Sequence, residues 1–154
     1  MEKQPNSRYC FLCGIENPIG LNLSFYQEGD RVVAHYCPKE EHQGYPGVLH
    51  GGITCALLDE TIGRTLVNRD IWAMTVDLNV RFLKPIPLGQ TLTVVGEIVR
   101  LRSRTLEGKG EIQLEDGTVA ATAEARYIRL PDAKIDEFRS ELGFWEVIPD
   151  PDGS

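Results

Sequence analysis

Two adjacent carboxylates, Asp59 and Glu60, stand inside a run of small and apolar residues that opens on Leu49-His50-Gly51-Gly52-Ile53. A carboxylate in apolar surroundings has to be paired, neutralised or put to use, because an isolated buried charge is costly. Glycines at a helix start leave backbone N–H groups open to an incoming oxygen, and the helix dipole favours negative charge there. Gly51, Gly52 and Asp59 together suggest an active site. The amides would polarise a carbonyl, and the carboxylate would serve as base or nucleophile.

The two carboxylates are not equivalent. Glu60 precedes Arg64 by four residues, the favourable order for an ion pair along a helix, so a structural role is expected for it. Asp59 has Ala56 three residues before it and Gly63 four after it. It therefore has no charge partner on its own helix, and the small neighbours read as clearance for a ligand. His50 is expected to cap the helix or order its loop rather than transfer a proton, because no sequence neighbour fixes a partner for its ring.

These residues need a frame. Apolar residues on nearly every face predict a helix over residues 51–67, stopped by Asn68-Arg69-Asp70. Period-two alternation predicts strands around Leu21 to Phe25 and Val32 to Cys37, joined through Glu28-Gly29-Asp30. After the helix the period changes, and residues 71–83, 91–101, 105–114 and 118–130 read as strands rich in Val, Ile, Thr and aromatics. Asp116-Gly117 is a hairpin turn signal. Residues 132–142 read as a short amphipathic helix.

A single helix that is apolar most of the way round must be covered on most faces. The expected fold is therefore α+β: one long central helix wrapped by a curled antiparallel sheet of about six strands, with a second copy covering part of it. The expected division is an N-terminal segment (1–19), one domain (20–142) and a C-terminal tail (143–154).

With 154 residues and a net charge of −7, the chain has the size of one domain and lacks the basic balance of a nucleic-acid binder. No apolar run reaches the length of a membrane span, and the first residues lack the apolar core of a secretory signal. Four cysteines are too few for a disulfide scaffold. A cytoplasmic protein without membrane or nucleic-acid partners is expected. Cys10-Phe11-Leu12-Cys13 has zinc-knuckle spacing, and His35 and Cys37 share a strand face, so these four could close a structural zinc site. One CxxC is only half a motif, and the expectation is reduced, partly buried cysteines with no metal and no cofactor. Cys55 is read as small-residue packing in the helix.

Leu49-His50-Gly51-Gly52, six further residues and Asp59, followed by Thr75-Val76-Asp77-Leu78-Asn79-Val80-Arg81-Phe82-Leu83-Lys84-Pro85, resembles the hotdog-fold acyl-CoA thioesterases of the phenylacetate-degradation (PaaI-like) type. The resemblance covers residues 20–130. It implies hydrolysis of acyl-CoA to free acid and CoA, at sites formed in a homodimer that often pairs into a homotetramer. Asp59 would be the catalytic carboxylate, the Gly51 N–H would polarise the thioester carbonyl, His50 would support the loop, and Thr75 would help hold the attacking water. Several relatives carry Asn or Gln six residues before the histidine. Here Gly44 stands there, and the adjacent Gln43 would take over that contact. Arg102 and Arg104, in the turn between two late strands, are assigned as weak contacts to the nucleotide phosphates.

Two alternatives share the fold. One is a non-catalytic acyl-CoA binding protein; sensors of that kind add a DNA-binding helical segment, for which residues 1–20 are too short and broken. The other is an enoyl-CoA hydratase, which resembles a pattern with His five residues after Asp. Arg64 at that position counts against it.

Overall fold

The computed structural model describes residues 1–151. Nine strands and two helices follow in the order β1 (Glu2–Lys3), β2 (Asn6–Ser7), β3 (Phe25–Glu28), β4 (Arg31–Tyr36), α1 (Gly51–Gly63), β5 (Ala73–Phe82), β6 (Leu92–Leu101), β7 (Thr105–Gln113), β8 (Val119–Arg129), α2 (Asp132–Glu141) and β9 (Trp145–Glu146). The architecture is the expected α+β arrangement. α1 packs against β4, β5, β6, β7 and β8 of one antiparallel sheet that runs β1-β3-β4-β6-β7-β8-β5.

That sheet has seven strands, not about six. The seventh is Glu2–Lys3, which pairs with Tyr26 and Gln27 on β3. Two residues ahead of Pro5 carry no readable alternation, so the strand exists only through its partner. Asn6–Ser7 pairs with Trp145–Glu146 in a separate two-stranded ribbon. The last three residues of the tail expected over 143–154 lie outside the described residues.

The helix also ends earlier than its apolar pattern. Regular α geometry stops at Gly63, and residues 64–69 continue as a 3-10 turn closed by Asp70 in the left-handed conformation (φ 51°). The Thr65 hydroxyl donates to the carbonyl of Ile62 at 2.6 Å, three residues back, a bond that suits the tighter winding.

Leu57, Leu58, Ile62 and Leu66 of this segment sit in the core with Phe25, Val32, Ala34, Leu92, Val94, Leu106 and Ile112. The helix lies unusually close to β6 and β7. A Cβ at Gly96 would fall 2.7 Å from the Thr61 carbonyl oxygen, and one at Gly108 would fall 2.5 Å from Ile62 Cγ2. At Gly96 the helix backbone itself excludes a side chain, and at Gly108 the Ile62 side chain and the Glu97 carbonyl oxygen do.

β5 is the far edge of the sheet. It pairs with β8 through Thr75↔Tyr127 and then Asp77↔Arg126, so Val76 is an extra residue, a bulge. Met74, Val76, Phe82 and Leu83 of this strand and its end are more than half exposed. No helix of the described residues is long and apolar enough to cross a membrane.

Candidate functional site

His50 ends the loop before α1 in extended conformation (φ −61°, ψ 133°), and its Nδ1 accepts the Gly52 N–H at 2.8 Å. It is the cap that its type and place predict. A Cβ on residue 52 would stand 3.0 Å from that nitrogen, so Gly52 keeps the ring in place. The Gly51 N–H has no acceptor among the described residues. The Phe82 ring stands 3.5 Å from where a Cβ of residue 51 would be. Gln43 accepts the Gly47 N–H through Oε1 at 3.2 Å and so holds the loop before the helix.

Two turns further on, Asp59 is half-buried and held by two hydroxyls. Thr75 Oγ1 donates to Asp59 Oδ1 at 2.7 Å. The Tyr127 hydroxyl lies 2.9 Å from the Asp59 carbonyl oxygen and 3.2 Å from Oδ1. Asp59 Oδ2 has no donor among the described residues. Burial, with the Asp59 charge added to it, pushes the Tyr127 phenol well above its ordinary range, so it stays a donor.

The structure places Thr75 in this cluster, and Tyr127 is a member that the sequence reading missed. The open space beside Gly63, read from sequence as clearance for a ligand, is filled by the Tyr127 ring: a Cβ at residue 63 would be 3.4 Å from its Cε1. A signal was present in the last strand. Ala121, Ala123 and Ala125 share the inward face, and Tyr127 is the first large and polar-tipped residue on it.

Glu60 pairs with Arg64 as its spacing predicts, Nε to Oε1 at 3.1 Å. Burial raises the Glu60 carboxyl above its usual range, and Arg64 opposes the shift. The Arg64 side chain is 3% exposed, lies over the rings of Phe25 and Trp145, and donates through Nη1 to the Pro5 carbonyl at 2.6 Å.

Asp59, Glu60, Gly63, Arg64, Thr75 and Tyr127 line a cleft of about 600 Å³, with Trp72, Arg139 and Trp145 also on its wall. His50, Gly51, Gly52 and Gln43 are not in it. The axial rise between Gly51 and Asp59 is about 12 Å, eight residues of helix. Arg102 and Arg104 are exposed between β6 and β7, also outside the cleft.

Cys10 and Cys13 face α1, where a sulfur from each and an oxygen of Glu60 lie within 4.8 Å of one another. His35 and Cys37 do not join them. Both lie on the exposed face of β4 and its end, opposite to the core-facing Val32, Ala34 and Tyr36. All four cysteines are free, and Cys55 is half-buried in α1.

The sequence profile of the thioesterase superfamily matches residues 46–121, from the loop before α1 into β8. The mouse (Mus musculus) acyl-coenzyme A thioesterase THEM4 is 29% identical over 136 residues, 86% of this chain and 59% of its own length. The chain thus spans about three-fifths of the length of this relative and of its rat (Rattus norvegicus) counterpart. Among solved structures, the thioesterase superfamily protein RHA08564 aligns with a TM-score of 0.74 at 28% identity, over 78% of this chain and 63% of that one. Escherichia coli PaaI aligns with a TM-score of 0.68 at 18% identity, over 72% and 81%, a likeness of fold. With its helix wrapped by an antiparallel sheet, this chain belongs to the hotdog-fold thioesterase superfamily.

Proposed function

We propose that this chain hydrolyses acyl-CoA thioesters to free acid and CoA, with Asp59 as general base. The observation that carries the reading is the Asp59 carboxylate itself. Thr75 and Tyr127 fix one of its oxygens, and the other is left without a protein donor on the wall of a cleft. In the reaction, Asp59 takes a proton from water as the oxygen attacks the thioester carbon. The carbonyl oxygen gains charge in the intermediate and accepts the Gly51 N–H at the positive end of α1. Collapse breaks the C–S bond, and the CoA sulfur recovers the proton. His50 and Gly52 act by fixing the helix start. The relatives named as acyl-coenzyme A thioesterases support the substrate class.

The site takes two copies. Gly51 and Asp59 of one chain are about 12 Å apart along the helix and cannot flank one carbonyl. Both are nevertheless tied to β5, Gly51 beside Phe82 and Asp59 beside Thr75. Antiparallel pairing of β5 with its own copy about a two-fold axis sets the Phe82 end of one chain against the Thr75 end of the other. The exposed apolar residues of that edge support the pairing. Each helix start then faces the partner's Asp59, and Gln43 lies beside the same joint. Two such dimers form the tetramer. Arg102 and Arg104 contact the nucleotide end of CoA from outside the cleft, so their loss raises KM for CoA esters more than for short thioesters. Four free thiols support a reducing, cytoplasmic compartment.

Thiol release from short, medium, long and aryl acyl-CoAs, with wild type beside Asp59→Asn, tests the reading. The expected loss is about 10²–10⁴-fold in kcat with the oligomer intact. Binding without turnover of any ester would instead make this a non-catalytic acyl-CoA binder. Turnover indifferent to the substitution would remove Asp59 from the chemistry.

A further inference from the structure

We propose that Cys10, Cys13 and Glu60, residues given no part in the acyl-transfer step, bind a divalent cation of the zinc class. The sulfurs come from a turn that is already built. Gly14 N–H donates to the Cys10 carbonyl at 2.8 Å, and a Cβ at residue 14 would fall 2.4 Å from that same oxygen, so only glycine closes the turn. Around it the buried Asn6 donates to the carbonyls of Cys13 and Leu23 at 2.8 and 2.9 Å. Ser7 Oγ accepts the Cys10 N–H and lies 3.3 Å from Cys13 Sγ. These bonds hold both sulfurs against the middle of α1 before any ion arrives.

The distances suit tetrahedral coordination. Zn–S bonds near 2.3 Å and Zn–O bonds near 2.1 Å separate two sulfurs by about 3.8 Å and a sulfur from an oxygen by about 3.6 Å. Cys10 Sγ and Glu60 Oε1 are 3.9 Å apart, and all three ligand atoms fall within 4.8 Å. A contraction of an ångström or less, available to side-chain rotamers, completes three corners, with water at the fourth. Charge also closes. Two thiolates and a carboxylate carry three negative charges, which the dication and the Arg64 guanidinium neutralise. Arg64, itself fixed by burial, donates through Nε to the same Glu60 oxygen that faces Cys10 and so holds the carboxylate toward the sulfurs. Its Nη2 is buried and without a hydrogen-bond partner, a donor still to be used beside a site of concentrated negative charge. Such an ion would pin the N-terminal segment to the helix one residue past Asp59.

The test uses the full chain, purified without chelator. Metal analysis should find about one zinc per chain, and titration of the chelated protein with cobalt(II) should raise an intense near-ultraviolet thiolate-to-cobalt band. Cys13→Ser should abolish both. Glu60→Gln should weaken zinc binding by at least about tenfold, and Cys37→Ser should leave both unchanged. Chelation and re-addition on the wild type needs no variant to fold, and its unfolding midpoint should fall and recover. A folded chain with reduced Cys10 and Cys13 that takes up neither metal overturns the proposal. So does an intact mass two hydrogens lighter from a Cys10–Cys13 disulfide that forms in place of metal uptake. Neither readout depends on thioester turnover.

Discussion

Thr75 and Tyr127 are direct partners across β5 and β8, and their hydroxyls converge on the same oxygen of Asp59. The orientation of the carboxylate is therefore set by the register of two sheet strands and not by the helix that carries it. A carboxylate held this way, if it is the base proposed above, loses little entropy on reaching its reactive geometry.

Tyr127→Phe removes the donor while keeping the ring against Gly63. We expect kcat to fall by up to roughly tenfold with KM nearly constant, the worth of one hydrogen bond. Thioester turnover over a substrate range separates the two constants.

The same phenol gives a pH dependence with a definite sign. Its folded pKa is raised, so its contribution to stability is full below about pH 10, where the unfolded phenol titrates, and is lost as pH rises beyond that. Urea midpoints between neutral and strongly alkaline pH should show a decline in wild type that is smaller in Tyr127→Phe.

His50→Ala should cost about 0.5–2 kcal/mol by removing the cap on the Gly52 N–H. Gly52→Ala crowds the same ring nitrogen, so the two losses should be less than additive in a double-mutant cycle. Chemical denaturation of the four proteins measures this.

Gly96→Ala drives a methyl group into the backbone at Thr61 and Ile62, atoms that cannot turn aside. Expected destabilisation is about 1–3 kcal/mol or more, read from the same denaturation curves.

Proline is tolerated at the first position of a helix, and His50 already has the extended backbone that a following proline requires. Gly51→Pro therefore deletes only the N–H proposed to polarise the thioester carbonyl. Mixed with Asp59→Asn under subunit exchange, it should restore about a quarter of wild-type activity, since half of the dimers carry one intact site. Sites confined to one chain would recover none.

The helix, its glycine entry and the Glu60–Arg64 pair were legible because each is a relation within a few residues. The hairpins at Gly29 and Gly117 were legible for the same reason, both glycines having positive φ. What stayed hidden depends on distant pairing. Glu2–Lys3 becomes a strand only against β3, and Tyr127 reaches Asp59 across 68 residues of sequence. The small face at Gly63 was visible in sequence, but not the ring that fills it. The zinc-knuckle spacing offered two sulfurs, and the sequence showed no further donor beside them. The carboxylate that the fold brings beside both sulfurs, Glu60, lay fifty residues from Cys10 on a helix and was already assigned to Arg64.

The extra residue at Val76 acts as a parity switch. Before it, the odd-numbered Ala73 and Thr75 turn toward α1; after it, the even-numbered Leu78, Val80 and Phe82 do. Without that change of phase, Thr75 and Phe82, seven positions apart, would point to opposite sides of the sheet. Deleting Val76 leaves every functional side chain in the protein and still disconnects one end of the strand from the helix. Single-residue length variation should therefore be tolerated in the hairpin loops but not in this strand, whose residue count matters as much as its composition.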